Sequence, residues 1–139
     1  MRIADITDAD IPAVVRLWQA CGLTRPWNDP HADIALARRT ADATVLVGRD
    51  DAGAVTATAM VGFDGHRAWV YYVAVDPAHQ GRGRGRAIMA AAESWARARG
   101  APKLELMVRE GNAAAQAFYQ RLGYAIAPVA VLARWIDGR

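Results

Sequence analysis

Gln80-Gly81-Arg82-Gly83-Arg84-Gly85-Arg86 lies between an apolar run that ends at Val75 and an Ala-rich pattern of helical period that begins near Ala87. That order predicts a strand, a tight loop and a helix start. Glycines at 81, 83 and 85 permit positive φ and let a ligand come close to the backbone. The first turn of a helix adds unpaired N–H groups and the positive end of its dipole. Such a stretch suits an anion. The arginines between the glycines add positive charge, which fits a pyrophosphate with a further phosphate better than one carboxylate.

Spacing narrows the ligand further. A dinucleotide fingerprint GxGxxG starting at Gly81 requires glycine where Arg86 stands, and one starting at Gly83 requires it where Ile88 stands. A Walker loop requires Lys followed by Ser or Thr, which is absent here. What remains is Gln80-x-x-Gly83-x-Gly85, placed after a strand and opening a helix. This pattern resembles the acetyl-CoA pyrophosphate loop of the GNAT superfamily of N-acetyltransferases, in which successive backbone amides hold the CoA phosphates. On its own the loop also reads as a glycine-rich turn with solvated arginines, or as an Arg-Gly tract for RNA.

The chain has 139 residues, the size of one domain with a single core, so one domain over 1–139 is expected. It is 53% hydrophobic and 22% charged, an ordinary globular balance, with no apolar run of membrane-spanning length and no signal-peptide pattern. Cys21 is the one cysteine, which excludes an internal disulfide and fits a reducing cytoplasm. The net charge is +3, and Lys103 is the one lysine among 17 basic side chains. A basic chain favours a polyanionic ligand such as CoA.

Hydrophobic period and punctuation set out the elements. Residues 2–6 read as a first strand, and Thr7 or Asp8 can cap a helix with Ile11, Val14, Val15 and Trp18 at helical spacing, Pro12 in its first turn and Gly22 at its end. The loop Arg25-Pro26-Trp27-Asn28-Asp29-Pro30 leads to a helix capped by Asn28 or Asp29 and running to about Asp42. Thr44 to Arg49 and Ala54 to Gly62 form a hairpin, and a turn with Asp64-Gly65 leads to a strand from Ala68 to Val75. After the phosphate loop, a helix buries Ile88, Ala92, Trp95 and Ala96 and stops at Gly100. Lys103 to Arg109 then forms a strand parallel to its predecessor. Asn112 caps a last helix carrying Ala114, Phe118 and Leu122 inward to Gly123, and Val129 to Trp135 closes the chain as a strand. The predicted fold is α/β (α+β), with a mixed, mostly antiparallel sheet and helices on both faces.

The resemblance becomes specific at Asn112. GNAT enzymes follow their fifth strand with an Asn and then a helix containing a Tyr followed by Leu-Gly-Phe/Tyr. Here the sequence is Asn112-Ala113-Ala114-Ala115, then Phe118-Tyr119-Gln120-Arg121-Leu122-Gly123-Tyr124. The likeness is strong over residues 69–124 and extends to the rest by element order. A closer likeness to the YpeA-like subgroup of small bacterial members runs through Arg25 to Pro30, Asp64-Gly65-His66-Arg67, Tyr71-Tyr72 and Tyr119-x-Arg121-Leu122-Gly123-Tyr124.

The resemblance implies a GNAT acyl-CoA N-acyltransferase fold with a splayed parallel strand pair. It also implies direct transfer of an acetyl group from acetyl-CoA, the cosubstrate, to a primary amine. The strand at Val73, Ala74 and Val75 would splay from the strand around Leu106 to Val108, bind the pantetheine arm and polarise the carbonyl. Gln80, Gly81, Arg82, Gly83, Arg84, Gly85 and Arg86 would hold the phosphates, with Asn112 and Phe118 on the pantetheine side. Tyr119 would protonate the departing thiolate, since a phenol with an ordinary pKa near ~10 keeps its proton at neutral pH. Read singly, Asn112 is also a helix cap and Tyr119 a packing residue.

The base is left unassigned. Some members carry a Glu five residues before the motif Asn, where this chain has Met107. Glu105, His66, Asp64, Asp29 and a water chain are alternatives, and His66 also reads as a plain turn histidine. Trp27, Asn28, Asp29, Tyr71 and Tyr72 are placed by resemblance beside the acceptor, where an acid among aromatics suits a cationic amine. The same residues read equally as a stiff loop and a helix cap. His31, His66 and His79 are too scattered for a metal motif, so no metal is expected. Ser94 lacks a nucleophile-elbow context, and Cys21 reads as core.

The expected partner is a small-molecule or peptide amine, with no nucleic acid and no membrane, acting on a monomer or homodimer. The alternative is a catalytically silent acyl-CoA-binding module that keeps the loop without the base.

Overall fold

The computed structural model describes all residues, 1–139. Its backbone falls into two compact units, Met1–Leu106 and Met107–Arg139. The first opens with β1 (Arg2–Asp5), a 3-10 turn at Asp8–Asp10, α1 (Ile11–Ala20) and α2 (Pro30–Arg39). Then follow β2 (Ala43–Arg49), β3 (Val55–Phe63), β4 (Ala68–Val75), a second 3-10 turn at Pro77–His79, α3 (Arg84–Ala98) and β5 (Leu104–Leu106). The strands lie in chain order in one sheet, antiparallel from β1 to β4, with β4 and β5 parallel. This is the mixed α+β sheet the sequence predicts.

Strand alternation sends side chains to two faces. On one face Val45, Val47 and Ala74 pack with Val14, Val15, Leu17 and Trp18 of α1 and Ile34 and Ala37 of α2. The neighbouring strand positions Leu46, Ala57, Ala59, Val61 and Val70 are also buried, and alternation gives them to the opposite face. There α3 packs against β2, β3 and β4, burying Ile88, Met89, Ala92 and Ala96.

β4 changes face part-way along. Met60 pairs with Tyr71 and Thr58 with Ala74, so Tyr72 and Val73 together oppose Ala59. This is a β-bulge, and Tyr72 takes φ +51°, the one positive value outside glycine. Such a backbone costs an L-residue about 1–2 kcal/mol. Three contacts hold it. The Tyr72 ring stacks on Trp18 with centroids 3.7 Å apart and planes 9° from parallel. The Thr58 hydroxyl donates to the Tyr72 carbonyl at 2.9 Å while accepting from Trp18 Nε1–H at 2.8 Å. The phenol donates to Asp33 Oδ2 at 2.7 Å.

β5 is shorter than its sequence suggests. β5 was expected from Lys103 to Arg109, but spans Leu104–Leu106 and pairs with β4 at Ala68, Trp69 and Val70 alone. The parallel ladder stops at Val70, two residues short of the bulge at Tyr72 and Val73.

The second unit holds α4 (Ala113–Arg121). Asn112 Oδ1 accepts from Ala115 N–H at 3.1 Å as its cap, and Gly123 takes φ +98° beyond its end. Ala114, expected to face inward, is exposed. The expected strand Val129 to Trp135 is absent: these residues are irregular, with Leu132 89% exposed. β-propensity becomes a strand only where a neighbouring ladder takes up the amides.

The chain entry to α1 is fixed by a buried acid. Asp10 Oδ2 accepts from Thr7 N–H at 2.8 Å and the Thr7 hydroxyl at 2.9 Å, and pairs with Arg49 of β2. Burial pushes this carboxyl up, but the Thr7 and Arg49 bonds outweigh it and hold its pKa below that of an ordinary carboxyl. The resulting stability is present above the unfolded value and lost as pH falls through the lower folded one. Asp10→Asn should therefore cost about 1–3 kcal/mol at pH 7. Urea unfolding followed from pH 7 to 2 should show the variant losing less stability than wild type at the acid end; parallel profiles would contradict this.

Candidate active site

At the end of β4 the chain is shaped for an anion. Asp76 Oδ1 caps the 3-10 turn by accepting from Ala78 N–H at 2.9 Å. Gly81 and Gly83 take φ +81° and +76°. α3 then starts at Arg84, earlier than expected, so Gly85 and Arg86 belong to its first turn and Gly85 is not at positive φ. No side chain caps this helix. Its first bond is Ala87 N–H to Gly83 C=O at 3.0 Å, which leaves the N–H groups of Arg84, Gly85 and Arg86 without an intrahelical acceptor. An anion there meets three donors and the helix dipole.

The loop side chains divide by role. Arg82 and Arg86 are exposed. Arg84 is half-buried and donates through Nε to Thr56 Oγ1 at 3.3 Å. Gln80 reaches back to the Val75 carbonyl at 3.4 Å, which also accepts from the Cys21 thiol at 3.3 Å. Burial, with Asp76 adding to it, pushes that thiol up, so Cys21 is an inert edge of the core.

Beside the loop, the bulged end of β4 keeps its β3 partner but has none from β5 beyond Val70. Tyr71 to Val75, including the expected Val73, Ala74 and Val75, thus form a strand edge adjoining the anion loop. An extended ligand arm can hydrogen-bond to such an edge.

The acceptor-side candidates separate into two environments. Tyr72 lies among acids: its phenol is raised by burial, the bond to Asp33, and the charges of Asp33 and Asp29. Tyr71, 44% exposed, is raised by burial and by Asp64 at the β3–β4 turn. Trp27 is 47% exposed on the loop before α2, followed by Asn28. Asp29 caps α2 by accepting from His31 N–H at 2.9 Å. Asp33 and Trp18 were missed by sequence reasoning. The signal for Asp33 was its place one helical turn after Asp29; Trp18 read simply as core.

Two of the candidate bases already hold partners. Glu105 is ion-paired to Lys103 at 3.1 Å. Asp64 Oδ1 accepts from the N–H groups of His66 and Arg67, both at 2.8 Å, in an exposed turn.

In the second unit, Phe118, Tyr119 and Tyr124 form an edge-to-face row. Ring centroids are 5.0 Å apart for Phe118 and Tyr119 and 6.0 Å for Tyr119 and Tyr124. Burial pushes the Tyr119 phenol up to about 12. It keeps its proton throughout the neutral range.

The sequence pattern of the Acetyltransferase (GNAT) family matches residues 11–124. The chain belongs to this family. Acetyltransferases of Yersinia enterocolitica and Pectobacterium atrosepticum are each 40% identical over 124 residues, covering 89% of this chain and 87% of the relative. Among solved structures, AAC(6')-Iy in complex with the bisubstrate analog CoA-S-monomethyl-acetylneamine superposes with a TM-score of 0.82, at 15% identity and covering 96% of this chain and 97% of that one. At that identity the likeness carries the fold. The chain is thus an acyltransferase of GNAT fold, and its glycine loop and free strand edge fit an acyl-CoA.

Gly83 tests the loop directly. A Cβ there meets no atom within 4 Å, but φ +76° strains any L-residue and a β-branched one most. Gly83→Val should leave the sheet folded and weaken acyl-CoA binding at least about ten-fold as the α3 start reorganises. Calorimetric titration checks it, and unchanged affinity would contradict the loop's role.

Proposed function

We propose that this chain is an acetyl-CoA-dependent N-acetyltransferase, a single catalytic domain that moves acetyl to a primary amine by direct attack. The observation that carries this is the uncapped α3 start behind two left-handed glycines, adjoining a strand edge that β5 has left. The family match running from 11 to 124 supports one domain. The bisubstrate analog held by AAC(6')-Iy supports bringing CoA and amine together.

In this reading the α3 amides, with Arg82 and Arg86, hold the phosphates. Val73, Ala74 and Val75 hold the pantetheine arm through their backbone. Acetyl-CoA supplies an activated thioester. The neutral amine attacks its carbonyl carbon, the C–N bond forms, the C–S bond breaks, and the proton lost from nitrogen passes to the base. Tyr119 gives the departing thiolate its proton, with Asn112 and Phe118 on the pantetheine side. This assignment rests on the family motif and on a phenol that keeps its proton. The base stays unassigned between His66 and a water chain, since Glu105, Asp64 and Asp29 already have partners.

On the acceptor side, Asp29 and Asp33 lie one turn apart beside Tyr72, with Trp27 on the preceding loop. Two carboxylates among aromatic rings favour a cationic amine.

The experiment is release of CoA thiol from acetyl-CoA across a panel of amines and peptides. Amine-dependent release is expected; tight acetyl-CoA binding without it would contradict the enzyme reading. Tyr119→Phe should lower kcat about 10²-fold or more while leaving acetyl-CoA affinity nearly unchanged. A Tyr119-dependent alkaline fall in kcat should come near pH 12, so one near the ordinary phenol value, abolished in the variant, would contradict its environment. Asp33→Asn should raise KM for a dicationic amine more than for a monocationic one, whereas equal KM changes would remove Asp33 from the acceptor side.

A further inference from the structure

Thr56 is completely buried on β3, an unusual place for a hydroxyl. It stands where the β2–β3 ladder slips: Gly48 pairs with Ala57 and Arg49 with Val55, leaving Thr56 without a register partner. Its polar groups serve other elements instead. The Thr56 carbonyl accepts from Asp76 N–H at 2.8 Å, where β4 gives way to the loop. The Thr56 hydroxyl accepts from Arg84 Nε–H at 3.3 Å, at the first residue of α3. As a donor it faces the Gly48 carbonyl at 3.4 Å. The anion loop therefore leaves from and returns to a single buried residue.

We infer that Thr56 and Arg84 are positioning residues for the acyl-CoA, acting as a clamp that sets the first turn of α3 against the end of β4. This rests on the acyl-CoA reading above. A ligand that spans both features is held only if the α3 amides and the β4 edge keep a fixed spacing, and Thr56 links them, its hydroxyl holding Arg84 and its carbonyl holding Asp76 N–H. Arg84 commits its Nε–H to this bond, while Arg82 and Arg86 stay exposed for direct charge contact. The three loop arginines thus divide into two that meet phosphate and one that aims the helix.

The test is acetyl-CoA affinity by calorimetry for wild type, Thr56→Val, Thr56→Ser, Arg84→Gln, Arg84→Lys and the Thr56→Val/Arg84→Gln double variant, with thermal unfolding to confirm folding. Each of Thr56→Val and Arg84→Gln should weaken binding about ten-fold, and the double variant should be no weaker than the worse single, because both break one bond. Thr56→Ser, which restores the hydroxyl, should recover most of the affinity. Arg84→Lys keeps the charge but places its donor one atom further out than Nε, off the Thr56 hydroxyl, and should bind as weakly as Arg84→Gln. This last comparison decides the matter even if Thr56→Val does not fold. Full affinity in Arg84→Lys, wild-type affinity in a folded Thr56→Val, or losses that multiply in the double variant would each overturn the clamp while leaving the acyl-CoA reading intact. A wild-type protein that binds no acetyl-CoA would overturn that reading and the clamp with it.

Discussion

Tyr72 is held at φ +51° by the Trp18 ring against its own, the Thr58 hydroxyl on its carbonyl and Asp33 on its phenol. The backbone strain, about 1–2 kcal/mol, is offset by a stacked aromatic pair and buried hydrogen bonds of comparable size. The pairing of β4 with β5 ends at Val70, just before the bulge, and the last residues of β4 have no β5 partner. They also run directly into the anion loop.

The site is supported by polar residues in places that normally hold apolar ones. Thr56 and Thr58, two apart on β3, are both fully buried. Thr58 ties β4 to α1 through Trp18, and Thr56, at the slip in the β2–β3 ladder, ties the end of β4 to α3 through Arg84. Each hydroxyl both donates and accepts, so neither is left unsatisfied. The central strand thereby fixes both the bulge and the loop it feeds.

Much of this was legible in the chain because the signals were local. Gly83 and Gln80 mark the loop, Gly100 and Gly123 mark helix ends, and Asn112 marks a cap; each is a backbone requirement readable over three or four residues. The free edge of β4 was anticipated from family likeness, but the bulge on it was not. Tyr71-Tyr72 reads as ordinary strand, since nothing in local propensity predicts a tyrosine at positive φ; the partners that enforce it come from positions 18, 33 and 58. Arg84 failed for the same reason, being grouped with its neighbours by composition until a buried hydroxyl 28 residues away separated it. The closing strand at 129–135 failed in the other direction: its apolar run with two valines is strandlike in composition, but a strand also needs a ladder to join.

The most direct test of the account is hydrogen exchange of the backbone amides with and without acetyl-CoA. Acetyl-CoA should slow exchange in two stretches together, the amides of Arg84 to Arg86 at the α3 start and those of Tyr71 to Val75 along β4. Protection confined to other segments, or none at saturating acetyl-CoA, would contradict it.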